Sequence, residues 1–316
     1  GDLHHVLGND TRATEYLEAA VNFSEKHDLK ISLMTSLVKF SAVLLKQFQI
    51  ERAEILLRQC WGLEKFCSYS EKLAMQFQMV DLFIESCRYN EAAVHLNTCR
   101  ELVTQFCPRN LYSAAKVAIR SGELCLLTGD LNGFHSNLRE TVQLLMDCPE
   151  SFTRYDILLK AAELFIENRE IDDAASILQI AETAGSSINQ NELVIRSHLI
   201  QLALGMSTDN KLMIPKENDL ESIKSRLNGL TRPRLIWEYS FLAAIFYETQ
   251  GDRTKSKNAF AEANRKAQSM VAEIPSARHG VFWDRPARKL FQEELKKFQL
   301  RSSISTSSSA DRSIQS

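Results

Sequence analysis

Large apolar and small residues recur along the chain in a fixed order relative to six candidate turn positions, Gly8, Phe48, Cys87, Gly129, Arg169 and Gly251. Nine residues after each stands Leu17, Leu57, Leu96, Leu138, Leu178 or Phe260. Five after each is Ala13, Ala53, Ala92, Phe134, Ala174 or Ser256, and twelve after is Ala20, Cys60, Cys99, Thr141, Ala181 or Ala263. Steps of four and three keep these positions on one helical face. The small members let a neighbouring helix approach, and the large one fills the groove between them. Four residues before five of the turns sit Leu44, Phe83, Cys125, Phe165 and Tyr247. Seven and eight before sit Ser41 with Phe40, Val80 with Met79, Gly122 with Ser121, Ala162 with Ala161, and Ala244 with Ala243. Each unit therefore predicts two antiparallel amphipathic helices joined by a short turn.

The turns are spaced 40, 39, 42, 40 and 82 residues apart, the last interval being two units. About seven helix pairs are expected over residues 1–270, the sixth of them irregular. In that copy a helix at about 190–205 precedes a loop at Met206–Pro215, and Asn218/Asp219 then cap a helix bearing Leu220, Ile223, Leu227 and Leu230. Beyond Pro275, Asp284-Arg285-Pro286 opens a further helix with Leu290, Phe291, Leu295 and Phe298 on one side. Residues 271–301 read as a cap over the last unit, and the Ser-rich stretch 302–316 as a disordered tail.

Gly8-Asn9-Asp10 through Ala20, Gly129-Asp130-Leu131 through Thr141, and Gly251-Asp252-Arg253 through Ala263 resemble the second helix of the tetratricopeptide repeat. The resemblance spans about residues 1–270 and implies an all-α fold, a right-handed superhelical solenoid of antiparallel helix pairs with a C-terminal capping helix. The units here are longer than the family's usual 34 residues, and in that respect resemble the solenoids of bacterial signalling ATPases and kinases. A parent chain with such a module is an expectation of that resemblance.

Only 11 Gly and 6 Pro in 316 residues agree with an all-helical reading. The net charge of −2 argues against wholesale nucleic-acid binding, although residues 252–301 hold 12 Lys/Arg against 6 Asp/Glu. That basic stretch reads as solvated helix faces, with docking to nucleic acid or an acidic surface as the other possibility. The segment Arg278–Phe298 adds Phe282 and Trp283, an aromatic plug on the last repeat or a docking site. The seven cysteines include no Cys-x-x-Cys pair and no His at ligand spacing, so buried thiols in a reducing, cytoplasmic setting are expected. No apolar run approaches the length of a membrane span.

Phosphate-binding glycine loops, His-Glu-x-x-His and Gly-x-Ser-x-Gly are missing from the sequence. His4-His5, His95, His135 and His198 give no convergent ligand set, and Glu163 with Glu167, one turn apart, lack a partner for carboxylate chemistry. The expected function is therefore non-catalytic, with no metal and no cofactor. The alternative is a ligand-responsive regulatory domain of a transcriptional regulator or kinase, acting by intramolecular contacts. An enzyme with a novel site in the concavity is the rival from another class.

The family resemblance places ligand contacts on the first helix of each unit, six and ten residues before the turn. Six before, three units carry Asp81, Glu123 and Glu163; ten before, they carry Phe77, Ile119 and Leu159. An acidic row beside an apolar row would favour a basic, amphipathic peptide, the charge speeding association and the apolar row supplying affinity. Solvated carboxylates with no ligand are the competing reading of the same residues.

Overall fold

The computed structural model describes residues 10–185, 190–207 and 216–312, with side chains described to Arg301 and not at 184–185. Gly8, His4-His5, most of the loop expected at Met206–Pro215 and the last four residues lie outside that set.

Fifteen α-helices and no strands make up the described residues. The first is α1 (Asp10–Lys26), followed by the pairs α2 (Lys30–Lys46) with α3 (Ile50–Trp61) and α4 (Tyr69–Glu85) with α5 (Tyr89–Phe106). Then come α6 (Leu111–Thr128) with α7 (Leu131–Met146), and α8 (Phe152–Glu167) with α9 (Ile171–Gly185). After α10 (Asn191–Ser207) and α11 (Glu217–Leu227), α12 (Pro233–Thr249) pairs with α13 (Arg253–Ala272). A short α14 (His279–Asp284) and a long α15 (Pro286–Arg312) end the chain. The Ser-rich segment thus contributes residues 302–312 to α15.

The turn positions share one backbone geometry. Phe48, Cys87, Gly129, Arg169 and Gly251 all have positive φ, between 60° and 83°. This left-handed residue ends each first helix. The next residue's N–H then closes back onto the carbonyl of Leu44, Phe83, Cys125, Phe165 or Tyr247 at 2.7–2.9 Å. Asp130 and Asp252 start the following helices by accepting from the backbone N–H of Gly133 (2.9 Å) and Lys255 (3.0 Å). Residues five and nine after every described turn are buried, as are those twelve after. Among the same series on α1, only Ala20 is half-buried. The α6–α7 seam shows how close the helices come: a Cβ on Gly122 would lie 2.4 Å from Leu138 Cδ1.

In the irregular unit, α11 starts one turn earlier than Asn218/Asp219 capping implies. Asp219 lies inside the helix and its carboxylate accepts from Lys216 N–H at 2.8 Å. Leu220, Ile223, Leu227 and Leu230 are buried as expected.

The end of the chain packs against its beginning. Trp237, Phe241, Phe282 and Phe291 belong to the same core as Ala13, Leu37, Leu57 and Met79. Phe291 meets Trp237 and Phe241 edge-on. Arg232, immediately before α12, places Nη2 3.0 Å from Asp10 on α1 and also pairs with Glu192. No described helix is long and apolar enough to cross a membrane.

Candidate functional site

The six helices α2, α4, α6, α8, α10 and α12 wall one cavity of about 350 Å³. Successive turns face that wall: Phe77, Gln78, Asp81 and Glu85 from α4; Lys116, Ile119, Arg120 and Glu123 from α6; Asp156, Ile157, Lys160 and Glu163 from α8. Lys46, Glu192, Arg196, Arg232, Arg234 and Glu238 complete the charged lining.

The acidic row that the family resemblance implies is brought together on this wall, but each member already holds a cation. Asp81 lies 2.7 Å from Arg120. Glu123, 1% exposed, sits between Lys160 (2.7 Å), Arg285 (2.8 Å) and Arg120 (3.1 Å). Glu163 pairs with Arg196 at 2.5 Å and is 4.0 Å from Arg234. The wall is therefore an interleaved lattice of both signs, and an acidic stripe facing a partner is corrected to that. Arg120 lies three residues before Glu123, a one-turn spacing visible in the sequence, whereas Lys160 pairs not with Glu163, one turn on, but with Glu123 on α6. Arg196 on α10, Arg234 on α12 and Arg285 between α14 and α15 come from other parts of the chain, and no local signal marks them.

The apolar row divides. Phe77 is half-buried on the cavity wall with Lys116 Nζ 6.0 Å from its ring centre. Ile119 is buried and still lines the cavity. Leu159 is completely buried in the core of α6–α10 and is not on the wall; on α8 the cavity face runs through Asp156, Lys160 and Glu163, which turns Leu159 aside.

The electrostatics follow from burial in company. Burial pushes the Glu123 carboxyl up, but Lys160, Arg120 and Arg285 outweigh it and hold it well below the ordinary glutamate value. Glu163 is held down against burial by Arg196, Arg234 and Lys160. Burial wins at Asp81, whose pKa is raised in spite of Arg120. Burial and the neighbouring arginines 234, 285 and 120 lower Lys160, with Glu123 opposing them.

The C-terminal segment is the largest feature that spacing did not place. Pro286 disfavours helical backbone at the preceding residue, and Arg285 is extended (φ −59°, ψ 131°) between α14 and α15. Its buried guanidinium reaches Glu123 at 2.8 Å, Glu167 at 3.4 Å and Glu85 at 3.9 Å. Glu167, read from sequence as half of an unpartnered carboxylate pair, is thus held by Arg285 and lies 3.9 Å from Arg234. Phe282 is fully buried, edge-on to Phe48, with the Arg288 guanidinium 3.7 Å over its ring. The aromatic plug expected over Arg278–Phe298 is therefore built, although against the first repeats as well as the last.

Burial raises the Cys60 and Cys99 thiols to about 12, which fits their place in the small-residue seams rather than in thiolate chemistry. His95 bonds Gln76 at 2.6 Å and stacks on Phe83, while His135 faces Glu170 at 3.3 Å. Among the described residues no group of three or more His, Cys, Asp and Glu is arranged to hold a metal ion. No protein-family model matches the chain, and no curated protein is found to be similar to it.

Proposed function

We propose that this chain is a non-catalytic protein-interaction domain, a tetratricopeptide-like, right-handed helical solenoid with a C-terminal cap, whose inner face receives a protein or peptide segment. The observation that carries this reading is the cavity walled by six helices, whose buried and half-buried carboxylates take their cations from distant parts of the chain. Ion pairs taken out of water often stabilise no more than apolar packing would, so a whole wall of them is better suited to selecting what docks there than to holding the fold. The setting we propose is cytoplasmic, within a larger signalling or regulatory protein. The Arg285 contacts favour a second reading, a regulatory domain that works by intramolecular contact.

The test is a pull-down from source-cell lysate with the wild-type chain and a Phe77→Ala/Lys116→Glu variant, both side chains being accessible at the cavity wall. A protein captured by the first and lost with the second supports the interaction reading. Equal capture by both removes the cavity as its site, and turnover of a small molecule abolished by Lys116→Glu would instead establish an enzyme.

A further inference from the structure

The carboxylates of the inner helices already hold a piece of this chain, and the chemistry of that piece specifies what else would fit. Between them, Glu85, Glu123 and Glu167 come from three successive first helices and converge on one guanidinium. Without Arg285, Glu123 would keep Lys160 and Arg120, while Glu85 would keep Arg234 at 3.2 Å and Arg288 at 3.6 Å. Glu167 would keep only the more distant Arg234. A receptor for a cation is therefore built into the wall, and an aromatic slot beside Phe48 takes Phe282.

The present occupant fills that receptor imperfectly. Glu85 Oε2 is buried and has no hydrogen-bond partner: Arg288 stays 3.6 Å from it, while the other oxygen takes Arg234 at 3.2 Å and leaves Arg285 at 3.9 Å. The six residues of α14 are too few to be helical on their own, and Phe282 is the only one of them that is buried. Buried ion pairs add little net hold once desolvation is counted. A short helix gripped in this way can exchange with a better-matched one.

Resting on the interaction reading, we propose that residues 279–289 are a built-in stand-in for the partner. The external ligand is then a helical segment of another protein that presents an aromatic ring, an arginine three residues on at a break in the helix, and a second cation three residues further. It binds by displacing Phe282, Arg285 and Arg288 from the wall.

The probe is a labelled synthetic peptide spanning residues 276–300, titrated into the full chain and into full-length Arg285→Ala, with circular dichroism and a cooperative melt as controls on folding. The peptide is expected to bind Arg285→Ala about ten-fold or more tighter than wild type, since the competing segment is weakened, and to lose about as much when it carries Arg285→Ala itself. Hydrogen exchange on the wild-type chain is the second measurement. Saturating peptide should remove protection from amides 279–289 and leave α4–α9 unchanged. Equal binding to wild type and a folded Arg285→Ala would overturn the proposal. So would amides 279–289 that exchange only with the slowest core amides, because the segment would then open only by global unfolding; this outcome decides the matter even if Arg285→Ala does not fold. A partner captured through Phe77 and Lys116 would in that case leave the interaction reading standing and remove this inference alone.

Discussion

The α6–α7 seam and the cavity face of α6 lie on one helix and are held by opposite means. On the seam Gly122 makes room for Leu138, and Phe134, Leu138 and Thr141 are all fully buried. On the other face, Glu123 is as deeply buried, but what surrounds it is Lys160, Arg120 and Arg285. Neighbouring residues in sequence thus serve two different energetics: one saturates through shape alone, the other through charges supplied from up to 162 residues away. Local shape repeats from unit to unit, whereas the charge lattice exists only once the whole array has closed.

Removing a seam side chain should have the largest effect and be indifferent to pH. Phe134→Ala is expected to destabilise by about 3–5 kcal/mol, through lost burial and the cavity left behind. Urea unfolding at pH 7 and pH 4 should give the same difference from wild type; a difference that collapsed at the lower pH would mean the seam depends on the charged wall.

Glu123→Gln should cost about 3 kcal/mol at neutral pH, because it strips Lys160 and Arg285 of their shared carboxylate. Here the pH dependence has a definite sign. Glu85, Glu123 and Glu163 are all held below the ordinary glutamate value of 4.5 in the folded chain. The unfolded chain therefore takes up their protons first as pH falls. The stability they contribute is complete above pH 4.5 and is lost progressively below it, toward their folded values. The gap between wild type and Glu123→Gln should shrink over that range. A gap that stays constant down to pH 3 would contradict the charge lattice as described.

This contrast also explains what was legible in the sequence. The turns, the small–large–small series and the helix pairing could be read because each is written within one unit and recurs; the five described turn residues share one backbone conformation. The row Asp81, Glu123, Glu163 follows from the same turns once the family resemblance says which helix position faces inward. Its partners were harder. Arg120 was within reach through its one-turn spacing to Glu123, but Lys160, which reaches Glu123 from α8, and Arg196, Arg234 and Arg285 meet the row only through packing between units. Leu159 was misplaced because a position ten residues before the turn drifts off the cavity face in α8, where the wall runs through Asp156, Lys160 and Glu163.

A helix cap tests the repeat at the scale of a single bond. Asp130→Ala removes the acceptor for Gly133 N–H and should cost about 1 kcal/mol in urea unfolding. Loss well beyond that would mean the α6–α7 turn organises its neighbours as well as itself.

The smallest effect should run in the stabilising direction. Arg169 holds φ at 64° in the turn position where Gly129 and Gly251 stand in other units, and it is exposed. For a residue with a Cβ, the left-handed conformation is unfavourable by about 1–2 kcal/mol. Glycine removes that strain but returns about 0.5–1 kcal/mol to the unfolded chain as freedom. Arg169→Gly should therefore stabilise the chain by about 0.5–1 kcal/mol, seen as a higher urea midpoint at unchanged slope. Phe48→Gly and Cys87→Gly relieve the same strain but empty buried sites, 3% and 1% exposed, and should come out destabilising. If all three substitutions shifted stability in one direction, backbone strain would not be what distinguishes these turns, and the comparison between local shape and distant charge would have to be drawn elsewhere.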